Sequence, residues 1–161
     1  MGHHISAALL KGEFDQNKAR EFDLNPIQLS KSITMFPLEA NYCDFWSEKL
    51  NIFGSPSEHT YPLLNSNVVH HMMNTIASTP TFAIIETDYS GGVGDQAAAV
   101  YQGKEILMSP QRNKKKVINQ AIKKLGVRVP FFLRLFFVDE FQFLKLDQYR
   151  IFDEMFDKYT T

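Results

Sequence analysis

The sequence predicts an α+β fold, a mixed or mainly antiparallel sheet packed with about four to five helices in a single domain over residues 1–161. Three observations carry that expectation. Apolar residues recur at helical spacing in separate stretches, as at Val68, Val69, Met72, Met73 and Ile76. Short β-rich runs such as Phe82 to Glu86 stand between them, bounded by proline and glycine. A chain of 161 residues, 44% apolar and 22% charged, is also long enough and apolar enough to bury one real core.

The elements follow in order. His4 to Lys11 reads as a strand closed by Gly12, and Glu13 to Phe22 as a short helix. Gln28 to Leu38 alternates, with Leu29, Ile33 and Met35 set among Ser30, Ser32 and Thr34, so a half-buried strand ending at Pro37 is expected. Asn41 can cap a helix that runs to Leu50 with Tyr42, Phe45, Trp46 and Lys49 on one face. Two prolines, a glycine and small polar residues make Asn51 to Asn67 the longest loop, after which Asn67 caps the helix through Ile76. Strands are expected at Phe82 to Glu86, Gln96 to Tyr101 and Glu105 to Met108, the last two joined by a turn at Gly103. Helical spacing returns over Asn113 to Leu125, where Gly126 sits at the C-terminal cap position. A last helix carries the stripe Tyr149, Ile151, Phe152, Met155, Phe156 and Tyr159. Phe131, Phe132, Phe136, Phe137, Phe141 and Phe143 read first as core, with an interface as the alternative.

Composition narrows function by exclusion. A net charge of -1 supplies no overall field to draw in nucleic acid or an anionic membrane, although a local patch still can. Neither partner is expected, and no run is apolar enough to span a bilayer. One cysteine forbids an internal disulfide and fits a reducing, cytoplasmic setting; the N-terminus does not read as a signal peptide.

Each candidate for chemistry lacks a companion. His3 and His4 on a strand point to opposite faces, and His70 and His71 on a helix diverge by about 100°, so neither pair converges on a metal, and a helix-surface role is expected for the second. His59 is equally isolated, and Cys43 reads at least as well as a small buried hydrophobe as a nucleophile. Lys114, Lys115 and Lys116, with Arg112, Lys123 and Lys124, form a basic cluster that the solvated side of an amphipathic helix explains. No catalytic residue, metal site or cofactor is expected.

The most distinctive stretch runs from Glu86 to Gln96. Gly91, Gly92 and Gly94 suit either a strained turn or bulge between two strands, or a phosphate-cradling loop, but a strand rather than a helix is expected to follow and no Gly-Lys-Ser/Thr ending is present. A third reading is a protein-binding loop, since Asp88, Tyr89 and Asp95 offer aromatic contact area and negative charge.

Gly2-His3-His4-Ile5-Ser6-Ala7, the aromatic segment Asn41 to Trp46, and Phe82 through Tyr89 leading into Gly91-Gly92-Val93-Gly94 resemble small bacterial immunity proteins. Such proteins are encoded beside polymorphic or contact-dependent inhibition toxins. The resemblance implies a cytosolic, non-enzymatic protein that binds a cognate toxin domain, often a nuclease. The partner-binding residues would be Glu86, Asp88, Tyr89, Gly91, Gly92, Gly94 and Asp95, with Tyr89 the anchor and the acids matched to a basic toxin surface. The rivals are a small nucleotide- or phosphate-binding protein or enzyme using the Gly91–Gly94 loop, and a structural subunit that oligomerises through its phenylalanine-rich end.

Overall fold

The computed structural model describes residues 3–149 and 153–160. Its centre is an antiparallel sheet of six strands in the order β2-β3-β1-β4-β5-β6. These are β1 (His3–Lys11), β2 (Ile27–Gln28), β3 (Ile33–Pro37), β4 (Thr81–Ser90), β5 (Val93–Gln102) and β6 (Glu105–Asn113). The α+β expectation holds. Helices α1 (Gln16–Glu21), α2 (Ala40–Leu50) and α3 (Asn67–Ile76) precede β4, and α4 (Val117–Lys124), α5 (Phe131–Arg134), α6 (Glu140–Phe143) and α7 (Asp153–Tyr159) follow β6. The excess over five helices comes from single-turn pieces such as α5 and α6.

Both faces of the sheet are covered. Alternate residues of one strand point to opposite faces, so Ile5, Ala7, Leu9, Ala83, Ile85, Ala98 and Val100 meet α4, Val127, Phe141 and Leu146. Ala8, Leu10, Phe82, Ile84, Ala99 and Tyr101 meet α2, α3 and Ala19 of α1 on the other side. This is why Ile5 to Leu10 and Ala97 to Tyr101 read as unbroken apolar or small runs rather than alternating ones. The predicted half-buried strand is likewise buried along all five residues of β3.

Several boundaries move for identifiable reasons. The predicted strand from Gln28 to Leu38 breaks in two, because Leu29 and Ser30 turn their N–H groups back to Ile33 O. Helix α1 starts after Asp15, whose carboxylate caps the N–H groups of Asn17 and Lys18, while Phe14 is held in a bridge with Ala77. Glu39, not Asn41, caps α2 by accepting the Tyr42 N–H at 3.1 Å. Ser66 holds the cap position of α3, and Asn67 instead donates its side-chain amide to Phe53 O at 2.9 Å. Strand β6 continues past Met108 through Pro110, which the sheet tolerates because β6 is its edge.

The C-terminal third departs furthest. Of the six phenylalanines first read as core, Phe141 is buried and Phe143 packs against the α4 side, whereas Phe131, Phe132, Phe136 and Phe137 are exposed. Helix α7 returns across the α2 face, where Tyr159 packs on Tyr42 and bonds to Asp23 together with Lys158. Of the stripe expected in that helix, Ile151, Phe152 and the Phe156 side chain lie outside the described residues. Among the described residues no helix is long and apolar enough to cross a membrane.

One side chain pins the α5–α6 segment to the body. Asn119 on α4 accepts the Phe141 N–H at 2.7 Å and donates to Asp139 at 3.0 Å, while Asp139 and Gln142 form a reciprocal capping box. Replacing Asn119 by alanine leaves the Phe141 N–H without its acceptor and Asp139 Oδ2 without its donor, and is expected to lower stability by about 1–2 kcal/mol, measured by urea unfolding.

Candidate functional site

The Glu86 to Gln96 stretch is not a loop. β4 and β5 pair without interruption from Thr81↔Gln102 to Ser90↔Val93, and only Gly91 and Gly92 lie outside the ladder. Their φ values of 58° and 81° are those of a two-residue type I′ hairpin turn, whose twist matches that of the strands it joins. The turn opens into a strand, so its N–H groups have no helix N-terminus behind them of the kind a phosphate loop uses. Gly94 serves a different need. A Cβ there would lie 1.9 Å from Asp88 O, so the residue allows the two strands to close.

Pairing and side-chain alternation sort the remaining candidates. Asp88 and Asp95 are direct cross-strand partners and share the α2–α3 face with Val93 and Ser90, beyond the reach of the helices. Glu86 lies on the same face, two residues deeper, and is 2% exposed. Tyr89 points the other way: its ring sits 5.0 Å from His3, and its hydroxyl donates to Lys114 O at 2.6 Å. His3 in turn stacks on Phe141 and bonds Thr87 at 2.9 Å, while His4 is exposed opposite Asp88. Of the acids and tyrosine expected to form one edge, the structure therefore brings Asp88 and Asp95 together at the surface, buries Glu86 beneath them and turns Tyr89 onto the opposite face.

Burying Glu86 requires compensation, since an unpaired carboxylate in a protein interior is costly. It accepts the Leu63 N–H at 2.9 Å and pairs with the Arg112 guanidinium at 3.0 Å. Arg112 also reaches Asp95 through Nε at 3.0 Å, joining β4, β5 and β6. Burial works against the Arg112 charge, but the carboxylates of Asp95 and Glu86 outweigh it and hold its pKa above the ordinary value. The loop expected at residues 51–67 docks here. Tyr61 lies 6.0 Å from the Arg112 guanidinium, and Leu63 is 65% exposed beside the ion pair.

The same loop is anchored further in by Asn65, only 2% exposed. Its amide donates to the Tyr101 hydroxyl at 2.8 Å, and its carbonyl oxygen lies 2.8 Å from His70 Nε2, so the imidazole donates. His70 was expected on a helix surface; instead it packs edge-on against Tyr101 and Phe82, and burial lowers its pKa to about 4. Exposed His71 meets Phe22 edge-on, and His59 stacks on Tyr61. Cys43 is 4% exposed, with its thiol pushed up to about 12 by burial and by the neighbouring Asp44 and Glu39. At neutral pH it remains a protonated, buried thiol.

Two clefts flank the loop. One of about 440 Å³ is lined by His70, Tyr101, Asn67 and Ile106, and one of about 330 Å³ by Cys43, Asp44, Phe53 and Leu64. Among the described residues no three His, Cys, Asp or Glu side chains gather closely enough to hold a metal ion. The arrangement can present a surface: two adjacent carboxylates, exposed Val93 at 78% and Leu63, supported by a buried ion pair. Arg112, Val93 and Leu63 escaped sequence reasoning because only strand register and loop docking bring them to the acids.

Removing Arg112 strands the Glu86 charge. Arg112→Ala is expected to cost about 3 kcal/mol in urea unfolding, and Glu86→Leu with Arg112→Met should recover most of that loss. His70 gives a separate signature. Its unfolded pKa near 6.5 exceeds the folded value, so the unfolded chain binds more protons between them. The His70 contribution is complete above pH 6.5 and is lost as pH falls through 4. The unfolding free energy of the native chain, less that of His70→Gln, should decline in this window with a slope of up to about 1.4 kcal/mol per pH unit. Compared with protein-family models, curated proteins and solved structures, the chain matched none.

Proposed function

We propose that this chain is a binding protein of the immunity type, which neutralises a cognate toxin domain by occupying a basic surface on it. The observation that carries this reading is the Asp88–Asp95 pair. Like charges directly opposite one another weaken a sheet, and Arg112 compensates only Asp95. Asp88 is exposed and has no ion-pair partner among the described residues. With Asp95 across one strand and His4 across the other, that placement gives the fold no ion pair, whereas a cationic partner gains from it through faster encounter and sharper discrimination.

The surroundings support the same reading. Val93 and Leu63 supply apolar contact beside the charges, and the ion pair from part-exposed Arg112 to buried Glu86 ties the strands beneath them together, which lowers the ordering cost of association. The toxin's nuclease or other activity would be blocked by coverage, with no chemistry required of this chain.

The test uses the toxin domain encoded by a neighbouring reading frame. Asp88→Asn should leave thermal stability unchanged or raise it by roughly 0.2–1 kcal/mol, because a like-charge contact disappears. Asp88→Arg should weaken toxin binding by at least about tenfold in calorimetry and restore toxin activity in a co-expression assay. Unchanged affinity in Asp88→Arg would remove this face from the interface.

A further inference from the structure

On the opposite face, Phe131, Phe132, Leu135, Phe136 and Phe137 are each 62% to 92% exposed within seven consecutive residues. Single exposed apolar side chains are ordinary on a protein surface; five in one projecting turn mark a contact site. The sequence around them is equally lopsided. Between Ile106 and Val138 lie eight of the seventeen lysines and arginines and none of the eighteen acids. Of those eight cations only Arg112 forms an ion pair among the described residues.

The fold joins the cations to the aromatic turn. Asn119 ties Asp139 and Phe141, just beyond the turn, to the side of α4 where Lys116 and Lys123 stand three and four residues away on one helical face. Arg128 precedes the turn and Arg134 lies within it, both exposed. Asp139, where the acids resume, has its carboxylate taken by Asn119 and the Gln142 N–H.

Backbone conformation adds an independent observation. Helix α4 ends with the Val127 N–H on Ile122 O and the Gly126 N–H on Lys123 O, with Gly126 left-handed at φ 91°. Helix α5 ends in the same pattern, Val138 N–H to Leu133 O and Phe137 N–H to Arg134 O, but the left-handed position holds Phe137 at φ 61°. Local physics selects glycine there. A phenylalanine is strained, and at 92% exposure its ring returns nothing in packing.

We infer that the Phe131–Phe137 turn docks on an anionic lipid surface, its aromatic and leucine side chains entering the boundary between headgroups and acyl chains while the surrounding lysines and arginines meet lipid phosphates. Charge complementarity selects this occupant. A second copy would bring two sets of unpaired cations together. Single-stranded nucleic acid would stack on ring faces and leave Leu135 wet, whereas a bilayer boundary takes up leucine and phenylalanine alike. A projecting knob that is apolar on several sides needs no matching pocket in a bilayer interface.

The test is flotation of the full chain with vesicles of phosphatidylcholine containing about a third phosphatidylglycerol, against phosphatidylcholine alone. Partition should be at least roughly tenfold higher on the anionic vesicles and should fall on raising salt to about 0.5 M. Phe136→Ser with Phe137→Ser, and separately Arg128→Gln with Arg134→Gln, should each abolish most of it. Phe137→Gly provides the sharpest comparison: it should raise the melting temperature while lowering partition. Absent vesicle binding overturns the proposal, as does binding indifferent to phosphatidylglycerol or to the phenylalanines. So does finding instead a dimer, or an oligothymidylate complex, that the same serine substitutions dissolve.

Discussion

Strands β1, β4 and β5 are buried on both faces, and this constraint decides where polar residues can stand. A sheet with one wet face can place a polar side chain at every second position; here each such group must be satisfied from within or lie beyond the helices. Thr87 is satisfied by His3, and Asn65 by Tyr101 and His70. Glu86 is the extreme case. Taking the Glu86 carboxylate out of water costs several kcal/mol, and charge-assisted bonds from Leu63 and from the part-exposed Arg112 guanidinium offset about 1.5–3 kcal/mol each. The long loop is drawn onto the sheet because Glu86 needs its N–H. Past Glu86 the α2–α3 helices end, and Asp88, Val93 and Asp95 emerge together.

The fold class was legible because helical and strand periodicities are local properties. Val68 through Ile76 and Val117 through Leu125 face cores as their spacing requires. The Gly91-Gly92 turn is among the readings the residues permit, but the strands run further than expected, because Thr87 to Ser90 and Val93 to Asp95 are polar at many positions and polarity in sequence reads as loop. What failed elsewhere depended on partners distant in sequence. Nothing local to His70 announces Asn65 and Tyr101, and nothing local to Glu86 announces Arg112. The phenylalanine series misled in the other direction, since hydrophobicity suggests burial but a four-residue helix cannot bury four rings.

Charge is segregated in the same way. A net of -1 conceals a stretch from Ile106 to Val138 without a single acid, folded mainly into β6, α4 and α5, while carboxylates mark the uncovered end of the α2–α3 face. The sheet separates the two. Arg112 crosses that division and pairs with both Glu86 and Asp95, which leaves Asp88 on one side and Lys123 and Lys124 of α4 on the other exposed and without an ion pair among the described residues. A surface organised in this way can serve two partners of opposite charge without either competing for the other's residues.

Two departures from what the fold itself would choose stand at these places. Asp88 opposite Asp95 weakens a strand pair by several tenths of a kcal/mol, and Phe137 occupies a left-handed position at a cost of about 1–2 kcal/mol. Neither is rescued by packing, since Asp88 and Phe137 both face solvent. Local rules hold at many other positions, since glycine ends α4, glycines turn the hairpin, and an acid caps each of α1, α2 and α6, although Lys116 and Lys145 are left-handed as Phe137 is. A total stability of about 5–15 kcal/mol tolerates two such costs but gives no reason for them. What sets Asp88 and Phe137 apart is their company: each stands beside exposed apolar side chains, Val93 in one case and Phe131, Phe132, Leu135 and Phe136 in the other, so strain and wet apolar surface coincide there.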